Sequence, residues 1–188
     1  SWQSFVYHLT ARGGQFQHGK LTKDHNQKSE EWQKLMNNST REFFRKWGSQ
    51  VLHNNLMMPI ITPKYDIGFI IKNCNLNLLN TLEPWCSTIY VDCEFGEYII
   101  NEQPNTTDNL SKKVYSIHSE KDNDILIKFD GSKLTNDSFQ FITQLPLILK
   151  DSGEIGSMQY DIFEFEIKSL KTHEEELVVN ENTMFNTN

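Results

Sequence analysis

The sequence predicts an α/β protein, a short leading segment followed by a small domain containing β-α-β units. Three observations carry that expectation. Asp66–Lys72 holds the apolar run Ile67-Gly68-Phe69-Ile70-Ile71, as in a strand covered on both faces. Leucines at 76, 78, 79 and 82 follow it, stopped by Pro84, and Thr88-Ile89-Tyr90-Val91 then reads as a second strand. A similar strand–helix order recurs from Asp124 onward, without residue-level repetition.

Taken in order, Phe5-Val6-Tyr7-His8-Leu9 reads as a short strand, left by the loop Thr10-Ala11-Arg12-Gly13-Gly14. Gln15–Lys28 is polar and reads as an irregular loop. Ser29–Gly48 predicts a helix. Ser29 suits an N-cap, Glu30 and Glu31 complement the positive end of the helix dipole, Arg45 and Lys46 the negative end, and Gly48 a left-handed cap. Trp32, Leu35, Met36, Phe43 and Trp47 recur at helical spacing, so that stripe is expected to be buried. Pro59–Lys64 is expected to be extended and marks the domain boundary.

Beyond it, Asn75–Glu83 predicts a short helix and Val114–His118 a further strand, with a helical piece near Tyr98–Ile100. Asp124–Asp130 reads as a strand. Thr135 or Asn136 caps a helix running to about Lys150, which Pro146 kinks or splits and Gly153 closes. Met158–Ile167 reads as one long final strand whose apolar alternation changes parity, as at a β-bulge or in a strand serving two layers. The expected organisation is therefore a leading segment over 1–63, an α/β domain over 64–170 and a flexible tail over 171–188.

The net charge of −7 over 188 residues opposes bulk attraction to nucleic acid or anionic lipid. No apolar run approaches the roughly 20 residues of a membrane span. Cys74, Cys86 and Cys93 form no CxxC-type metal spacing, and an odd count without an export signal predicts reduced thiols. On a strand over residues 87–92, Cys86 and Cys93 would stand roughly 20 Å apart, beyond disulfide reach. The chain starts at Ser1 in an apolar stretch and reads as a piece of a longer polypeptide.

His8 lies in an apolar strand, where a buried imidazole with one hydrogen bond is the ordinary reading and a metal ligand the functional one. Arg12-Gly13-Gly14 can offer a guanidinium and backbone N–H groups to phosphate. His18, His25 and His53 read as scattered surface histidines, Lys20, Lys23 and Lys28 as a solvated loop, and Asp122-Asn123-Asp124 as a solvated turn.

The order of a strand with Val6-Tyr7-His8, a loop with Arg12-Gly13-Gly14 and a helix ending Phe44-Arg45-Lys46-Trp47-Gly48 resembles the end of the catalytic domain in family 2 glycosyltransferases. The overall character is similar to glycosyltransferase-like proteins of large phages and marine viruses. The resemblance covers residues 1–63 and implies a sugar transferred from a nucleotide-sugar donor to an acceptor hydroxyl, assisted by a divalent metal, Mn²⁺ or Mg²⁺. It implies His8 as a metal ligand and places Arg12 and Gly13 beside the donor's diphosphate. The family's acidic metal motif would lie upstream, so this chain by itself is expected to be inactive without that missing catalytic half. The implied location is the cytoplasm, the host's if the chain is viral. The alternative expectation is a non-enzymatic α/β binding or assembly module.

Overall fold

The computed structural model describes residues 30–172. The chain divides into two compact units, residues 1–40 and 41–188. Helix α1 spans Glu30–Trp47. Its last residues belong to the second unit, so residues 41–63, read above with the leading segment, fall with the α/β domain. A two-stranded antiparallel pair follows, β1 (Leu52–His53) with β2 (Pro59–Ile60).

The sheet that organises the second unit has six strands: β3 (Ile67–Lys72), β4 (Thr88–Val91), β5 (Val114–Ser116), β6 (Ile125–Asp130), β7 (Gly156–Tyr160) and β8 (Phe163–Ile167). Their spatial order is β5-β4-β3-β6-β8-β7. The first four neighbours run parallel, while β8 and β7 add antiparallel. The expected α/β class is therefore what the chain adopts, and the apolar run of β3 forms a central strand. Helices α2 (Leu76–Leu82), α3 (Gly96–Glu102) and α4 (Asn136–Ser152) connect the strands.

Alternation along the strands sorts the side chains. Ile67, Phe69, Ile71, Ile89, Val91, Ile125, Ile127 and Phe129 pack into one core with Leu79 and Leu82 of α2, Tyr98 of α3 and Ile142, Leu145 and Leu149 of α4. All three helices therefore cover the same face of the sheet. Among the described residues, the opposite face carries a small cluster of Ile70, Tyr90 and Leu126, flanked by Tyr115 and Ile117.

That second face is pinned by a buried amide. Asn123 Nδ2 donates to Asp66 Oδ1 at 2.7 Å and to Thr88 Oγ1 at 3.2 Å, while its Oδ1 accepts from the Tyr90 hydroxyl at 3.0 Å. Asn123 is thus a satisfied core residue, whereas the sequence had placed it in a solvated turn. Gly68 makes room for it, because a Cβ there would overlap Asn123 Oδ1 and sit 2.8 Å from its Cγ. Gly68→Ala is expected to lower unfolding stability by about 1–3 kcal/mol in urea titrations. An unchanged midpoint would mean that Asn123 is not held against the sheet.

Two expectations are corrected. The long strand over residues 158–167 is a hairpin, with Tyr160 opposite Phe163 and Asp161 in the left-handed region at φ 51°. Reversal of direction, not a bulge, produces the parity change. The stripe expected to be buried on α1 is largely exposed at Leu35, Met36 and Trp47, the last 48% exposed. The buried side of its final turns carries Phe44 and Arg45 instead. Pro146 lies within α4, which continues uninterrupted to Ser152, and Gly153 closes it as expected.

Candidate functional site

Two places in the second unit concentrate chemistry. The first is an ionic cluster under the end of α1. Arg41 and Arg45 stand four residues apart and so share one side of the helix. They meet Glu83, which the end of α2 and the following turn Glu83–Trp85 carry into the core with no exposed surface. Arg45 Nη2 reaches Glu83 Oε2 at 2.7 Å, and its Nε lies 3.1 Å from both Glu83 oxygens. Lys113 Nζ approaches Glu83 Oε1 at 2.8 Å, and the Tyr98 hydroxyl donates to Oε2 at 2.9 Å. Glu102 closes the set, accepting from Arg45 Nη2 at 2.6 Å and Arg41 Nε at 2.8 Å.

Burial pushes the Glu83 carboxyl up, but the Arg45 hydrogen bonds and the Lys113 and Arg45 charges outweigh it and hold the group at about 2. Burial likewise favours a neutral Arg45, and its bonds to Glu83 and Glu102 reverse that, leaving its pKa raised. Burial raises the Tyr98 phenol, and the neighbouring Glu83 charge adds to the effect. Three cations, Arg41, Arg45 and Lys113, therefore face three carboxylates, Glu42, Glu83 and Glu102. Among the described residues, no buried side-chain polar atom is left without a partner. The charges of the cluster are thus paired with one another.

The helix end above it is capped twice. Gly48 adopts φ 71° and donates its N–H to Phe44 O at 2.7 Å, and Lys64 Nζ donates to the carbonyls of Arg45 and Lys46 at 2.8 and 2.9 Å. Phe44 lies against Trp85 with ring centroids 4.3 Å apart.

The second place is the carboxyl edge of β3, β4 and β6, where open α/β sheets hold ligands. Asp92, just past β4, accepts the backbone N–H groups of Asn73 at 2.7 Å and Cys74 at 2.9 Å. Asp130, ending β6, accepts from Asn73 Nδ2 at 3.0 Å, from the Ser132 N–H at 3.0 Å and from its hydroxyl at 2.7 Å. The Asn73 and Ser132 hydrogen bonds hold the Asp130 carboxyl at about 2. Both aspartates thus organise the turns leaving the strands, and Asn73 turns the corner at φ 53°. Cys74 and Cys93 flank this edge, half-buried and not linked by a disulfide.

On the open sheet face, Ile70, Leu126, Lys128, Ser157, Gln159 and Glu164 line a groove of about 500 Å³, crossed by the Lys128–Glu164 ion pair at 2.6 Å.

His8, Arg12 and Gly13 lie outside the described residues, as do His18 and His25. His53 sits exposed on β1. Among the described residues, no three His, Cys, Asp or Glu side chains are grouped to hold a metal ion, and no helix is long and apolar enough to cross a membrane. In the sequence Arg45 stood as a partner of the helix dipole and a member of the transferase-like Phe44–Gly48 motif, not as a core cation. The signal passed over was the Arg41/Arg45 spacing on either side of Phe44.

Fold and site together define a two-layer α/β unit with a mixed six-stranded sheet, anchored to a helix end by a buried ionic cluster. Compared with protein families, curated proteins and solved structures, the chain matches none.

Proposed function

We propose that residues 41–172 are a non-enzymatic α/β assembly module, the C-terminal accessory unit of a metal-assisted glycosyltransferase. The observation supporting the module is the use to which the transferase-like motif is put. Phe44 packs on Trp85, Arg45 enters the ionic cluster and Gly48 caps the helix. Residues that in sequence resemble a catalytic domain here clamp a helix onto a sheet. Asp92 and Asp130 are likewise engaged in holding turns.

On this reading the transfer chemistry belongs to the longer protein. A divalent cation, Mn²⁺ or Mg²⁺, would supply charge stabilisation for the leaving diphosphate. His8 would hold that cation, and Arg12 and the Gly13 backbone would bind the diphosphate. The acceptor's hydroxyl would attack the anomeric carbon of the nucleotide sugar.

The two assignments separate in one experiment on the longer protein with its upstream half. His8→Ala is expected to lower metal-dependent transfer at least tenfold with an unchanged thermal midpoint, a barrier raised by about 1.4 kcal/mol or more. Glu83→Gln is expected to lower the midpoint while transfer per folded molecule stays the same. Transfer by the 188-residue chain alone would refute the division of labour. Loss of activity per folded molecule in Glu83→Gln would refute the assembly role.

A further inference from the structure

The two half-buried cysteines at the carboxyl edge follow different strands, Cys74 after β3 and Cys93 after β4. The sheet brings them together. β3 and β4 are parallel neighbours, with Ile71 opposite Val91, and each cysteine lies two or three residues past that pair. Asp92 then ties the two strand ends, since its carboxylate accepts the Cys74 N–H at 2.9 Å while its own chain continues into Cys93. Both side chains are half-buried against the same core, and the Cys74 thiol donates to the Asn75 carbonyl at 3.5 Å. Cys86, by contrast, is fully enclosed, its sulfur 3.5 Å from the Glu83 carbonyl oxygen.

We propose that Cys74 and Cys93 are a dithiol modification site that takes a low-molecular-weight disulfide as its oxidant and closes an intramolecular disulfide across the ends of β3 and β4. The Cys93 thiolate attacks one sulfur of the small disulfide, whose S–S bond breaks and releases one thiol. The Cys74 thiolate then attacks the Cys93 sulfur of this mixed disulfide and expels the second small thiol. Two protein thiols are oxidised, one small disulfide is reduced to two thiols, and the two protons pass to the released thiols.

Burial, and after it the neighbouring Cys93 sulfur, raise the Cys74 thiol to about 12. Burial also raises Cys93, with the adjacent Cys74 side chain working in the opposite direction. Both thiols are mostly protonated at neutral pH, so the reaction is slow there and its rate rises roughly tenfold per pH unit between about 7 and 8. The product closes a loop containing α2 and the turn with Glu83, and so tightens the segment that receives Arg45.

The test incubates the reduced 188-residue chain with oxidised glutathione at pH 8, followed by peptide mapping and thermal melting. The expected result is a Cys74–Cys93 cross-linked peptide and a midpoint raised by about 5 °C or more, reversed by dithiothreitol. Cys86→Ser should leave the cross-link intact, and Cys93→Ser should abolish it. A wild-type product that keeps glutathione on Cys74 or Cys93 without cross-linking overturns the proposal. So does protein that remains fully reduced while an exposed cysteine peptide in the same tube is oxidised.

Discussion

Glu83→Ala is expected to lower unfolding stability by about 3–5 kcal/mol, because it leaves Arg45 and Lys113 facing each other in the core without their shared carboxylate. For a domain of this size that corresponds to a midpoint lower by roughly 10 °C. The same carboxylate makes stability depend on acid. Its folded pKa of about 2 lies below the ordinary 4.5, so the unfolded chain takes up the proton first as pH falls. The contribution is complete above about pH 4.5 and is lost as pH drops toward 2, with an amplitude of about 3 kcal/mol. Glu42 and Glu102, also lowered, titrate in the same sense. Urea titrations at pH 7 and pH 3 on wild type and Glu83→Ala measure both effects. If the two proteins lose equal stability between those pH values, Glu83 is not the group responsible.

Trp85→Ala is the second large effect, expected at about 3–5 kcal/mol. Trp85 is nearly enclosed, tilted against Phe44 with ring centroids 4.3 Å apart and edge-on at 5.9 Å to Phe139 of α4, so its removal opens a void where helix end, turn and helix meet. Trp47→Ala is the matched control. Its side chain is about half exposed, and its loss should change stability by less than about 1 kcal/mol. Equal losses from the two tryptophans would show that Trp47 is covered in solution.

The contrast between these tryptophans marks the limit of what periodicity reveals. The β3, β4 and β6 strands were legible within a residue, and all three lie in one sheet as their apolar runs require. The helix expected from Asn75 begins there, with Asn75 as its N-cap, and Gly153 closes α4 where expected, because helix ends are set by local chemistry. The exposed stripe on α1 was misread since helical spacing identifies an apolar side without identifying what faces it. The buried side was hidden because its key residue is an arginine, whose partners Glu83 and Glu102 lie 38 and 57 residues away. The β7–β8 turn was missed because Asp161-Ile162 lacks the Asn-Gly or Asp-Gly signature of two-residue hairpins. Of the candidate site, the aspartates at the strand ends could be listed from sequence, but their capping roles and the meeting of Cys74 with Cys93 depend on strand order.

That order also bears on how the chain is made. β3 pairs with β4, which follows it closely, but its other edge waits for β6. On the order of 60 further residues must be synthesised first, which takes a ribosome roughly 3–12 seconds. Throughout that interval Ile67-Gly68-Phe69-Ile70-Ile71 presents an open row of backbone donors and acceptors, with no proline or charge inside the run to discourage a second nascent chain. Yield during expression should therefore depend on translation speed between β4 and β6, and slow codons placed there should increase aggregation without changing the finished protein.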